Sequence, residues 1–164
     1  MNKIFALILV SFISVFSSAQ DKSEKKVAEV QLKDINGNTV NTADMGFDGP
    51  VIILFWATHC STSKNALNTI HDDYIDWQDE TGVNLVAVSL DDSKTINSVP
   101  MLVNGNGWEY LVLMDSNGDF KRAMGVNIEP HIFLLDKDGN IVYSHNNYAP
   151  GDEEEIYDKL VELE

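Results

Sequence analysis

Val51-Ile52-Ile53-Leu54-Phe55-Trp56-Ala57-Thr58-His59-Cys60-Ser61-Thr62-Ser63 carries an apolar run into a polar corner that holds the chain's single cysteine. Six consecutive apolar residues, Val51 to Trp56, most of them β-branched or aromatic, predict a strand buried on both faces, as central parallel strands are. From Ser61 to Glu80 the apolar positions Leu67, Ile70, Tyr74 and Trp77 recur at helical spacing, with Gly82 to close the helix. Cys60 therefore stands at a strand-to-helix corner. A thiol there faces the first unpaired N–H groups and the positive end of the helix, and both favour thiolate over thiol. Thr62 and Ser63 add hydroxyls within reach of the sulfur. A small buried cysteine is the plain alternative; the corner favours a reactive one.

On either side the chain alternates strands with helices. Val27–Leu32 reads as a strand entering the turn Asp34-Ile35-Asn36-Gly37, and Thr39–Asn41 returns as its partner. Val83–Leu90 is a second buried strand, followed by a helix that Asp91-Asp92-Ser93 caps and that ends near Pro100; Leu111–Leu113 is a third strand. Ile132–Leu135 and Ile141–Tyr143 flank Asp136-Lys137-Asp138-Gly139 as a hairpin. After Pro150-Gly151 a last helix has Asp152 as N-cap, Glu155 completing a capping box, and Ile156, Leu160 and Leu163 as its apolar stripe. The fold class is α/β, a central mixed sheet flanked by helices, with an N-terminal β-hairpin added to it.

These residues resemble a known family. Phe55 to Ser63 is similar to the F-W-A-x-W-C-x-P-C segment of the thioredoxin fold, and in particular to the TlpA/ResA-like exported thiol–disulfide oxidoreductases. The resemblance extends over residues 27–164: the Asn36-Gly37 hairpin, the strand before Trp56, Val83–Asp92, Gly125-Val126, and Pro130 ahead of Phe133-Leu134-Leu135-Asp136-Lys137-Asp138-Gly139. It implies a thioredoxin-like fold in which Pro130 is a cis-proline facing Cys60, with Trp56, Glu129 and Pro130 beside the substrate.

The departures fall on the chemistry. Ser63 stands where the family has its second, resolving cysteine, so the motif is C-x-x-S. Dithiol exchange needs one thiolate to attack the substrate disulfide and a second to release the mixed disulfide. His59 replaces a tryptophan, Ala66 a proton-shuttling glutamate, and Glu129 places negative charge against any thiolate at Cys60. The chain is thus expected not to act alone as a dithiol reductase. Single-thiol exchange remains, with Cys60 as nucleophile and His59 or His131 as imidazolium or general base. The competing expectation is a pseudo-enzyme that binds extended polypeptide in the groove beside Pro130 without turnover. A peroxidase is not indicated, because Thr58-His59-Cys60 lacks the peroxiredoxin spacing.

Composition narrows the partners. A net charge of −15, from 26 acidic and 11 basic side chains, disfavours nucleic acid and anionic membrane surfaces, and otherwise confers solubility. One cysteine excludes an internal disulfide and a multi-thiolate metal centre. No cofactor or metal is expected. A copper site from Cys60, His59 and His131 is disfavoured because neighbours on one turn rarely converge on an ion. The acidic stretches Asp34–Asn38, Asp115–Asp119 and Asp136–Asn140 lack the glycine and glutamate register of a calcium loop and read as turns. The partners expected are protein or small-molecule thiols and disulfides.

Residues 1–19 read as a secretory signal peptide: Lys3, an apolar segment Ile4–Phe16, and Ser17-Ser18-Ala19 as the cleavage site. Those 13 residues, apolar apart from Ser11 and Ser14, fall short of the roughly 20 that span a bilayer. Cleavage after Ala19 leaves 145 of the 164 residues, a flexible lead-in over 20–26 and one domain over 27–164, in the periplasm or secreted. Oligomeric state is not legible.

Overall fold

The computed structural model describes residues 25–163, so the expected signal peptide lies outside the described residues. β3 (Val51–Trp56) is an interior strand of a seven-stranded sheet and is buried along its whole length. It pairs in parallel with β4 (Asn84–Ser89) and antiparallel with β6 (His131–Leu135). β5 (Leu111–Met114) continues the parallel set beyond β4. The hairpin β1 (Gln31–Asp34) and β2 (Thr39–Asn41) is added antiparallel to β5, and β7 (Ile141–Asn146) closes the other edge against β6. The strand order is β2-β1-β5-β4-β3-β6-β7. A mixed sheet with an N-terminal hairpin is what the apolar runs predicted.

Period-2 alternation divides the core. Ile52, Leu54 and Trp56 join Leu85, Ala87, Ile132 and Leu134 on one face, packed with Leu67 and Ile70 of α1 (Ser61–Thr81) and Ile156 and Leu160 of α4 (Asp152–Val161). Ile53 and Phe55 join Val86, Val88 and Phe133 on the other, under Phe120 and Met124 of α3 (Asp119–Met124). α1 stops at Gly82, whose φ of +68° an L side chain rarely adopts. A side chain at Gly49 would put its Cβ 2.3 Å from the Gly82 carbonyl oxygen, so the approach to β3 passes this helix end backbone to backbone. Among the described residues, no helix is long and apolar enough to cross a membrane.

Four expected boundaries move. Val27–Val30 is not strand: the fully buried Thr42 hydroxyl takes the Val30 N–H at 2.8 Å and donates to the Ala28 carbonyl at 2.6 Å, so a side chain stands in for ladder bonds there. Lys25 and Lys26, the end of the expected lead-in, already lie against the last hairpin, with Ile141 N–H on the Lys25 carbonyl at 2.8 Å and Lys26 bridged to Asn140. Pro100 does not end a helix. After a 3₁₀ turn over Ile96–Ser98 it sits in the first turn of α2 (Val99–Asn106), where its missing N–H costs nothing. At α4 the N-cap is Gly151, and Asp152 is the first helical residue.

The acidic turns are self-contained. Asp136 Oδ1 accepts the N–H groups of Asp138 and Asn140, both at 2.9 Å, and Asp34 Oδ1 accepts those of Asn36 and Asn38, both at 2.8 Å. Burial alone would raise both carboxyls, but these donors and the Asn140 and Asn38 side chains hold them below the usual carboxylate range.

Candidate active site

The site grows from the end of β3. Leu90 N–H bonds the Trp56 carbonyl, after which Ala57–Cys60 turns back on itself through Cys60 N–H to the Ala57 carbonyl at 3.0 Å. Cys60 is the N-cap of α1, extended at φ −88° and ψ 107°, and its side chain makes no capping bond. The half-buried thiol instead points at the Glu129 carbonyl oxygen, 3.8 Å away. The Glu129–Pro130 peptide bond is cis, as the family resemblance implies, so the thiol meets the backbone of the loop before β6.

Ser63 is fully buried and committed elsewhere. Its hydroxyl donates to the Cys60 carbonyl at 3.1 Å and accepts the Ala57 N–H at 3.5 Å, rather than reaching the sulfur. It stitches the corner together from the helix side. Ala66, one turn on, is also fully buried and supplies no proton-transfer group.

The strand side is held by a residue that the sequence had suggested only as a helix cap. Asp91, 1% exposed, lies two residues beyond the end of β4. It accepts the Thr58 N–H at 2.9 Å, the Thr58 hydroxyl at 2.5 Å and the Ser89 hydroxyl at 2.9 Å. Burial by itself would raise its carboxyl, but the Thr58 and Ser89 donors outweigh it and keep the group below the usual range. The sequence signal was a polar Ser89 inside a buried run with two aspartates just after it. Its partner Thr58 is 33 residues away in sequence.

The other expected site residues divide. His59, 72% exposed, stands on the rim with its Nε2 3.6 Å from a Glu129 carboxylate oxygen, an ion pair while the imidazole is protonated. His131 lies in β6 opposite Phe55. Its ring stacks on Phe133 at 4.3 Å, and its Nε2 is 2.9 Å from the Ser144 hydroxyl, so its ring is engaged within the β6–β7 face. Burial, then the charges of His145 and Lys25, push its imidazole below the usual value. Trp56 is a correction: it is wholly buried and packs edge-on against Trp108 at 5.3 Å, so it supports the corner and cannot touch substrate. Pro130 is buried too, leaving the carbonyl of Glu129 as that loop's group at the thiol and its carboxylate beside His59.

Chemically the corner presents one sulfur nucleophile at a helix start, a backbone carbonyl against it, and an exposed imidazole–carboxylate rim.

Comparison with known proteins agrees with this architecture. The AhpC/TSA family matches residues 24–144. The chain is similar to the thiol-disulfide oxidoreductase ResA of Oceanobacillus iheyensis, 28% identical over 127 residues, which take in 77% of this chain and 62% of ResA; it thus spans a little under two thirds of that relative. It is similar as well to sporulation thiol-disulfide oxidoreductase A of Bacillus subtilis, 25% identical over 139 residues, 84% of this chain and 82% of the other. A thioredoxin-like protein from Porphyromonas gingivalis superimposes with a TM-score of 0.76 at 48% identity, over 84% of this chain and 90% of that one. The seven-stranded sheet and its helices are a thioredoxin-like fold.

Proposed function

The chain belongs to the AhpC/TSA family, and from that premise we propose that it is an exported thioredoxin-fold protein that exchanges thiols and disulfides through one reactive cysteine, Cys60. The observation that carries the proposal is the contrast within the motif. Cys60 is half-buried, caps α1 and faces the Glu129 carbonyl, while Ser63, three residues on, is fully buried and bonded to the corner's own backbone.

The chemistry follows from that pair. The Cys60 thiolate attacks one sulfur of a disulfide; a Cys60–substrate disulfide forms, the substrate's S–S bond breaks, and the departing thiolate takes up a proton. Release needs a second thiol, and a serine hydroxyl does not supply one. An external thiol, or a partner protein's dithiol, then attacks the mixed disulfide and returns Cys60 to the thiolate. Asp91 and Ser63 hold the loop from two sides, so the sulfur is presented by a fixed backbone. The exported setting, periplasm or secreted after cleavage near Ala19, rests on the layout of residues 1–19 and on the oxidising environment in which disulfide substrates persist.

The test is covalent capture. Incubated with extract under oxidising conditions, the protein is expected to accumulate mixed disulfides that dithiothreitol releases and that Cys60→Ser does not form. If wild type and Cys60→Ser recover the same partners non-covalently, the chain is instead a polypeptide-binding module working through the groove beside Pro130.

A further inference from the structure

We infer that the thiol site selects disulfides by charge, favouring those with a cationic group close to the sulfur, and that Glu129 sets the preference. The inference rests on the single-thiol reading above and adds to it the class of substrate.

Glu129 touches the thiol through its backbone, carbonyl oxygen to sulfur at 3.8 Å, so its side chain leaves the chain beside the reacting atom. That carboxylate is partly open, at 21% exposure. The protein's other partly or fully buried site and turn carboxylates each accept backbone N–H groups, Asp34, Asp115 and Asp136 from residues just after them in the chain and Asp91 from Thr58. The Glu129 carboxylate, among the described residues, accepts no such bond. Its counter-group is His59 at 3.6 Å, 72% exposed and charged only while protonated. An approaching ammonium or guanidinium can take the place of that imidazole without breaking any buried contact.

Ile128, 55% exposed, adjoins Glu129 in the chain and offers an apolar surface to the carbon stem of such a group. The one opposing charge close in sequence is Lys64, one helical turn along α1, whose N–H bonds the Cys60 carbonyl. It lies along the helix, whereas Glu129 lies across from the sulfur. A net charge of −15 acts in the same direction at longer range. The reaction is unchanged: the Cys60 thiolate displaces one sulfur of the cationic disulfide, the new mixed disulfide keeps one cationic arm beside Glu129, and the other arm departs as a thiol.

The experiment measures second-order rates of Cys60 adduct formation, by intact mass, with cystamine, 2-hydroxyethyl disulfide and oxidised glutathione. Each rate is divided by that of N-acetylcysteine amide with the same probe. Cystamine is expected to exceed the neutral disulfide by about fivefold at low salt, as a charge pair a few ångströms apart in water implies, and oxidised glutathione to fall below it. Glu129→Gln and 0.5 M salt should each reduce the ratio toward one, and Lys64→Gln should widen it. Adducts forming with all three probes at the same normalised rate, or a ratio that Glu129→Gln leaves intact, would overturn the charge selection while the single-thiol reading stands. If no probe forms an adduct, the single-thiol reading fails, and the selection with it.

Discussion

Two helices of this protein begin where the chain leaves a strand, and their first turns are furnished in opposite ways. α4 starts at Gly151 with four consecutive acids, Asp152 to Glu155. Asp152 accepts the Ala149 N–H at 2.7 Å and meets His145 at 3.0 Å, while Glu153 accepts the Gly151 N–H at 2.9 Å and the Tyr148 hydroxyl at 2.6 Å. α1 starts at Cys60 with no acid in its first turn and no side-chain cap. Both ends carry the positive potential of unpaired N–H groups. At α4 that potential is met by carboxylates tied into the preceding loop, and the result is a closed structural joint. At α1 it is left facing a half-buried sulfur, and the loop is braced from elsewhere, by Asp91 and Ser63. A helix start is chemically available where its stabilisation has been moved to other residues.

The largest expected change to this contrast comes from giving α1 its missing thiol. Ser63→Cys should shorten the lifetime of a Cys60 mixed disulfide by ~100-fold or more, because the resolving group becomes intramolecular. Decay of a purified adduct without added thiol, followed by intact mass, measures it.

Next is the brace. Asp91→Ala strands the Thr58 N–H and hydroxyl and the Ser89 hydroxyl in a buried place and should cost ~3 kcal/mol, read as a lower urea midpoint at an unchanged slope.

At α4, Glu153→Gln should cost ~1 kcal/mol. Burial acts to raise the Glu153 carboxyl, but the Tyr148 hydroxyl and the Gly151 N–H hold it below its usual value. Its contribution is therefore complete above the ordinary glutamate range and lost as pH falls through the lower, folded value, so wild type should lose the advantage over Glu153→Gln in acid. Tyr148 runs the other way. Burial, with Glu153 beside it, pushes its hydroxyl up to about 12, so its contribution is present below about pH 10 and fades as pH rises toward that value. Urea titrations from pH 3 to 11 read both limbs.

The smallest effect comes from furnishing α1 like α4. Ser61→Asp puts a carboxylate in the first turn and should slow iodoacetamide alkylation of Cys60 at pH 7 by about two- to fivefold.

Much of this was legible in order of locality. The run Val51–Trp56 and the helical spacing after Ser61 placed Cys60 at its corner, because both signals lie within thirty residues of one another, the first an unbroken apolar run and the second periodic. Ambiguity entered where one residue type serves two positions. A proline fits the first turn of a helix as well as the segment beyond its end, so Pro100 opens α2 where an ending was expected. Gly151 displaced Asp152 as N-cap because both residue types suit that position. Trp56 sits in a strand buried on both faces, where alternation cannot tell the face toward the site from the face toward α1. Asp91 was hidden for another reason: its work is done on Thr58, across a parallel strand pair, and local capping chemistry offered a sufficient account of it.

The central claim is that Cys60 exchanges disulfides by itself and waits for an outside thiol. Its most direct test is the fate of the adduct between the purified protein and 2-hydroxyethyl disulfide, followed by intact mass with and without added glutathione. The account predicts one adduct per chain, absent in Cys60→Ser, persisting for hours without thiol and disappearing within minutes of glutathione addition. No adduct, or an adduct that clears at the same rate with and without glutathione, would contradict it.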